Sequence, residues 1–190
     1  PMYSLRTDAE FAPLGGKVPL TIHTTDASGI REFTTTIQVD NRYKNGGYHI
    51  TAAEGFSYEE GSARYDEVNN TVTFNVTSDG RKTGECDLAT IEFDIDRTLA
   101  AGSYFSYTVT AGIETNVSSG TDESNFHSGF SLPQRRLKVE APYSISSDLL
   151  YKNMATPGYV YVADSTGAFV PEIGIYRQDG SLLGTTDENG

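Results

Sequence analysis

The chain predicts an all-β protein: a jelly-roll β-sandwich of about nine strands over residues 1–140, followed by a smaller β segment. Three observations carry that prediction. Apolar and polar residues alternate in run after run, the pattern of strands with one buried face. Turn signals rich in Gly, Asn and Asp recur about every 8–12 residues. No stretch shows a sustained apolar period of about 3.6 residues, so helices are not expected.

The clearest strand is Leu88-Ala89-Thr90-Ile91-Glu92-Phe93-Asp94-Ile95-Asp96. Ala89, Ile91, Phe93 and Ile95 share one parity and Thr90, Glu92, Asp94 and Asp96 the other. A slip of one residue would bury three carboxylates, so the register is fixed. In chain order, Met2–Thr7 is a candidate edge strand, and Val18, Leu20 and Ile22 alternate after Gly15-Gly16. Pro19 lies on the other parity and argues for a strand end or an edge. The turn Asp26-Ala27-Ser28-Gly29 leads into residues 30–40, where Phe33, Ile37 and Val39 face one way and Thr34, Thr36, Gln38 and Asp40 the other. Asn45-Gly46-Gly47 precedes Tyr48–Thr51, and a Gly- and Glu-rich loop (54–61) precedes a short piece around Arg64. Asn69-Asn70 closes a hairpin onto Thr71–Thr77. Tyr104–Thr110 carries Phe105, Tyr107 and Val109 on one parity; residues 116–129 read as a long polar loop, and 136–140 as the closing strand.

Ala141-Pro142 reads as a boundary. Beyond it lie about three short strands, with turns at Asp164-Ser165-Thr166-Gly167 and Gln178-Asp179-Gly180, too few to bury a core alone. Ser146–Tyr151 is the one candidate helical turn. The domain assignment is therefore 1–140 for the sandwich and 141–190 for a linker and a truncated β domain.

The net charge of −12 disfavours nucleic acid and anionic membrane surfaces as partners. A single cysteine, Cys86, excludes an intrachain disulfide and any multi-cysteine metal site. Nearby acids are expected to raise its pKa rather than activate it. No apolar run is long enough to span a membrane. The chain opens Pro1-Met2-Tyr3 and closes Asp187-Glu188-Asn189-Gly190 without a signal peptide, so it is expected to be an excised piece of a longer protein. His23, His49 and His127 show no ligand spacing and are expected at the surface or half-buried. No nucleophile elbow or phosphate-cradling glycine loop is present, so an enzyme is not expected. Glu92, Asp94 and Asp96 read as a solvated acidic face. No cofactor is required; calcium at a loop end, with Asp96 or Asp87 contributing, is the one alternative.

Residues 16–140 resemble a cohesin module, the jelly roll through which bacterial scaffold proteins grip dockerin modules. The resemblance rests on Val18-Pro19-Leu20-Thr21-Ile22, the Phe33–Asp40 strand, Val72-Thr73-Phe74-Asn75-Val76, Leu88-Ala89-Thr90-Ile91-Glu92-Phe93 and Leu137-Lys138-Val139. Where that family continues with a tyrosine-aspartate-proline type turn, this chain reads Val39-Asp40-Asn41-Arg42-Tyr43-Lys44. Residues 157–190 resemble the first part of a transthyretin-like or Cna-B-like β domain, on Asp164 and Gly167, Asp179 and Gly180, and the ending Thr186–Gly190.

The cohesin resemblance implies a non-catalytic, secreted or cell-surface bacterial module that binds a dockerin-like partner on the sheet formed by residues 31–40, 62–68, 70–77 and 104–111. Parity then puts Thr34, Thr36, Gln38, Thr71, Thr73, Asn75, Tyr104, Ser106 and Thr108 outward on that face. Arg64, with Tyr43 or Tyr65, would supply a further anchor. The alternatives are a structural spacer or adhesin stalk, and a carbohydrate-binding module, which requires a row of exposed tyrosines or a calcium site.

Overall fold

A computed structural model describes residues 3–40, 47–96, 99–116, 126–141, 143–147, 158–164 and 167–190. The chain divides into two compact units, residues 1–139 and 140–190.

The first unit is an all-β jelly-roll sandwich. Its strands are β1 (Tyr3–Arg6), β2 (Ala12–Pro13), β3 (Lys17–Ser28), β4 (Ile30–Val39), β5 (Tyr48–Ala52) and β6 (Arg64–Asp66). They continue as β7 (Thr71–Thr77), β8 (Thr83–Asp94), β9 (Tyr104–Asn116), β10 (Phe126–Phe130) and β11 (Arg135–Glu140). One sheet has the order β1-β3-β8-β5; the larger has the order β2-β11-β9-β4-β7-β6, with β10 also on β9. Among the described residues these strands pair antiparallel, as expected of strands with one dry and one wet face.

The alternation in β8 does what its pattern demands. Ala89, Ile91, Phe93 and Ile95 are buried, Thr90 and Glu92 partly so, and Asp94 and Asp96 are exposed. Phe93 meets Phe105 of the opposite sheet at 5.8 Å between ring centroids, so the two sheets share one core. Phe33, Ile37, Val72, Phe74, Val76 and Val109 complete that core from β4, β7 and β9.

Register shifts interrupt the period at four places in these pairings, and two of them bear on the faces described below. Ile22 pairs with Ala89 but His23 pairs with Asp87, so Leu88 is an extra residue in β8. Leu88 and Ala89 are consequently both buried, which strict alternation forbids. In β9, Ile37 pairs with Val109 and Thr36 with Ala111, leaving Thr110 as the extra residue.

Pro19 lies at a strand end, as its parity argued. β3 is a central strand, but β1 reaches only as far as Thr21, so Pro19 has a neighbour on one side alone, where a missing N–H is tolerated. Two other expectations need correction. The polar stretch read as loop contains β10, which pairs with the distal half of β9; residues 117–125 lie outside the described residues. Ser146 and Ser147 belong to a strand rather than a helical turn, and residues 148–151 lie outside the described residues.

The second unit holds β12 (Ser144–Ser147) paired with β13 (Val160–Ala163), and β14 (Gly174–Tyr176) paired with β15 (Leu182–Thr185). Asp179 accepts the backbone N–H of Ser181 at 2.9 Å, and Gly180 takes φ +88° in that turn. The Ser181 hydroxyl, which donates to the same carboxylate oxygen at 2.6 Å, is the main cause that holds the Asp179 carboxyl below its usual range, and the backbone bond is the second.

Candidate functional site

The outward face of the larger sheet brings together all ten side chains that parity and resemblance singled out, Arg64 and Ser106 among them. Register defines three rows. Arg64 pairs with Thr73, Thr73 with Thr36, and Thr36 with Ala111. Asn75 pairs with Thr34 and Thr34 with Ile113; Thr71 pairs with Gln38 and Gln38 with Thr108. Tyr104 and Ser106 extend the face along the start of β9.

Most polar groups here are tied to their neighbours. The Thr36 and Thr73 hydroxyls are 2.9 Å apart, Asn75 Nδ2 donates to Thr34 Oγ1 at 3.0 Å, and Gln38 Nε2 donates to the Asn69 carbonyl at 3.2 Å. Such cross-strand pairs fix rotamers before any partner arrives, so less entropy remains to be lost on docking. Beside Gln38 the face dips into a groove of about 340 Å³, lined by Asp40, Asn70, Ser106, Thr108 and Gln134. Tyr107 forms its inner wall, its hydroxyl pKa raised by burial.

Sequence reasoning missed Ile113 and Arg136. Uninterrupted alternation would put Ile113 in the core with Val109 and turn Glu114 to water. The bulge at Thr110 does the reverse: Ile113 is 45% exposed beside Thr34, and Glu114 is 0% exposed. Gly112, inside the strand, was the available hint, since such a glycine often marks a bulge or a close approach. A Cβ at Gly112 would lie 2.2 Å from the Phe130 ring. Arg136 lies over the Tyr104 ring, 4.1 Å from its centroid. Tyr104, 38% exposed, is the one exposed aromatic of the first unit among the described residues, so the row of tyrosines that a sugar platform requires is not found there.

The outer face of the smaller sheet holds the other polar cluster. His23 is buried, beyond the surface or half-buried position expected of it; Nδ1 meets Asp87 Oδ1 at 2.7 Å and Nε2 meets Glu85 Oε1 at 2.9 Å. Asp87 is thereby engaged by His23. Among the described residues no three His, Cys, Asp or Glu side chains are grouped to hold a metal ion. Asp94 pairs with Lys17 at 3.6 Å; His49 is exposed, and the side chain of His127 lies outside the described residues. Cys86 is buried, and its thiol pKa is raised, first by burial and then by Asp87 against the opposing effect of Lys82.

No family model matches this chain, and no curated protein matches it. Solved structures do. A cohesin module from a family 33 glycoside hydrolase of Clostridium perfringens ATCC13124 is 9% identical with a TM-score of 0.51, over 73% of this chain and 96% of that one. The seventh ScaB type I cohesin of Pseudobacteroides cellulosolvens is 15% identical with a TM-score of 0.47, over 80% and 98%. A type I cohesin–dockerin complex from Clostridium thermocellum gives 12% and 0.46, over 73% and 99%. At these identities the likeness concerns the fold, which is cohesin-like.

Proposed function

We propose that the first unit is a non-catalytic protein-recognition module of a secreted or cell-surface bacterial protein, and that it receives a dockerin-type partner on the outward face of β4, β6, β7 and β9. The observation that carries this reading is the face itself: a flat field of Thr, Asn and Gln side chains already bonded to one another, with Ile113 and Tyr104 exposed at its two ends. The cohesin-like fold supports it. Along β9 those ends are roughly 30 Å apart, the length of a helix of about 20 residues, so a small helical partner fits. Thr34, Thr36, Gln38, Arg64, Thr71, Thr73, Asn75, Tyr104 and Thr108 are the proposed contacts.

The test is calorimetry of the chain against a panel of bacterial dockerins at micromolar concentration. One dockerin should bind, and Ile113→Lys should weaken it about tenfold or more while leaving the unfolding midpoint unchanged. If none binds, the spacer reading gains, and the division of the chain into two compact units fits that role. In either reading we take residues 141–190 as part of a transthyretin-like or Cna-B-like β domain.

A further inference from the structure

We propose that the corner of the larger sheet formed by the start of β9 and by β11 is a binding subsite for acidic side chains of a partner polypeptide. This deepens the sheet-face reading and rests on it. The chain carries 26 Asp and Glu against 14 Lys and Arg, yet three of those cations fall within the four positions Arg135-Arg136-Leu137-Lys138. Strand register pairs Arg136 with Ser106 and Lys138 with Tyr104, so both cations share the outward parity of Tyr104 and Ser106. An otherwise anionic protein thus presents a local cationic edge at one margin of its proposed docking face, and an anionic partner segment would be steered to it.

The corner is shaped as well as charged. An open groove of about 570 Å³ is lined by Ser103, Tyr104, Ser106, Gln134, Arg135 and Arg136, with Asp40 on the β4 side. Asp40 repels a carboxylate from that side, so the ligand seats against β11. Arg136 has its guanidinium over the Tyr104 ring at 4.1 Å and, among the described residues, makes no ion pair. Resting on an aromatic face restricts the long side chain while keeping its N–H donors available for bidentate bonding to a carboxylate. Ser103, Ser106 and Gln134 add neutral hydrogen-bonding groups around that position.

The test is ¹⁵N NMR titration of the full 190-residue chain with N-acetylated, C-amidated hexaglutamate, using hexaglutamine as the uncharged control. Saturable shifts are expected in residues 103–108 and 134–138, weakened about tenfold or more in Arg136→Gln and unchanged in Arg31→Gln, which removes one exposed cation elsewhere in β4. Raising the salt from 50 to 500 mM should weaken them further. No saturable shift, shifts confined to other surfaces, equal response to hexaglutamine, or an unaltered response in Arg136→Gln would each overturn the inference. If the peptide behaves as expected and no dockerin binds, the subsite stands and the dockerin reading falls. If a dockerin binds and the peptide does not, the subsite falls alone.

Discussion

Replacing Tyr3 with Phe should destabilise the first unit by about 2 kcal/mol, although it deletes a single oxygen. The Tyr3 hydroxyl donates to Glu114 Oε2 inside the core. Glu114 is fully buried, and its Oε1 has no partner among the described residues. The aromatic contacts survive the change: the ring stacks on Phe130 at 4.3 Å with an interplanar angle of 1° and lies 5.3 Å from Phe33. The apolar contribution therefore cancels, and the difference reports the polar contact. A buried group stripped of its partner costs roughly 1–3 kcal/mol, more when it is charged. Removing both partners has the opposite logic, because two apolar side chains of similar volume leave nothing unsatisfied. Tyr3→Phe combined with Glu114→Leu should return stability to within about 1 kcal/mol of the parent, or exceed it. Urea unfolding followed by far-ultraviolet circular dichroism gives each value, with equal m-values showing that the variants report the same transition. The reasoning fails if Tyr3→Phe lies within about 0.5 kcal/mol of the parent, or if the double variant is no more stable than the single one.

The same residue sets an alkaline limit. Burial first, and then the Glu114 carboxyl, push the Tyr3 phenol far above its ordinary value of 10.0, and burial raises Tyr48 and Tyr107 as well. The folded state then keeps protons that the unfolded state releases, so this stability is whole below about pH 10 and is lost as pH climbs above it; the urea midpoint should fall there, less steeply in Tyr3→Phe. Gly112→Ala should cost about 1–3 kcal/mol, because its methyl would meet a Phe130 ring pinned against Tyr3; a loss under 0.5 kcal/mol in the same assay would show that the ring gives way. Phe93→Ala should cost about 3–5 kcal/mol, a large share of a typical domain's stability, whereas Glu92→Ala on the wet side should change it by less than about 1 kcal/mol. Deleting Thr110 should remove the bulge yet leave Ile113 outward, because Val109 and Ile113 then stand three positions apart on opposite faces. A cysteine at position 113 should react quickly with a maleimide in parent and deletion variant alike, and slow labelling in the deletion variant would refute the assignment of Thr110 as the extra residue.

What was legible in the sequence was whatever strict period-two alternation encodes. Phe74, Phe93 and Val109 are buried as that pattern requires, and the nine outward residues share one face because parity holds along each strand between bulges. What was not legible depends on partners distant in sequence. β10 consists of Phe126-His127-Ser128-Gly129-Phe130, too short and too polar in its surroundings to announce a strand, and its pairing is supplied by the distal half of β9. Arg136 gains its setting only when β11 lies beside β9. His23 reads as a surface or half-buried residue until the bulge at Leu88 aligns Asp87 beside it.

The bulge at Thr110 joins the core to the candidate face. One inserted residue turns Glu114 inward to Tyr3 and Ile113 outward to Thr34, so the buried carboxyl and the apolar end of the face are two consequences of a single change of parity. The Glu114 carboxyl would be more cheaply left in water, and the Ile113 side chain more cheaply buried. A strand that does both against its local preference is held there by the pairing of β9 with β4 and β10, and on the inner side the Tyr3 hydroxyl, its ring stacked on Phe130, meets the carboxyl. Local rules broken together at one point are expected more often where a surface serves function than where it serves stability alone, so under the proposed docking reading the distal half of β9 is where a partner's anchor should be sought.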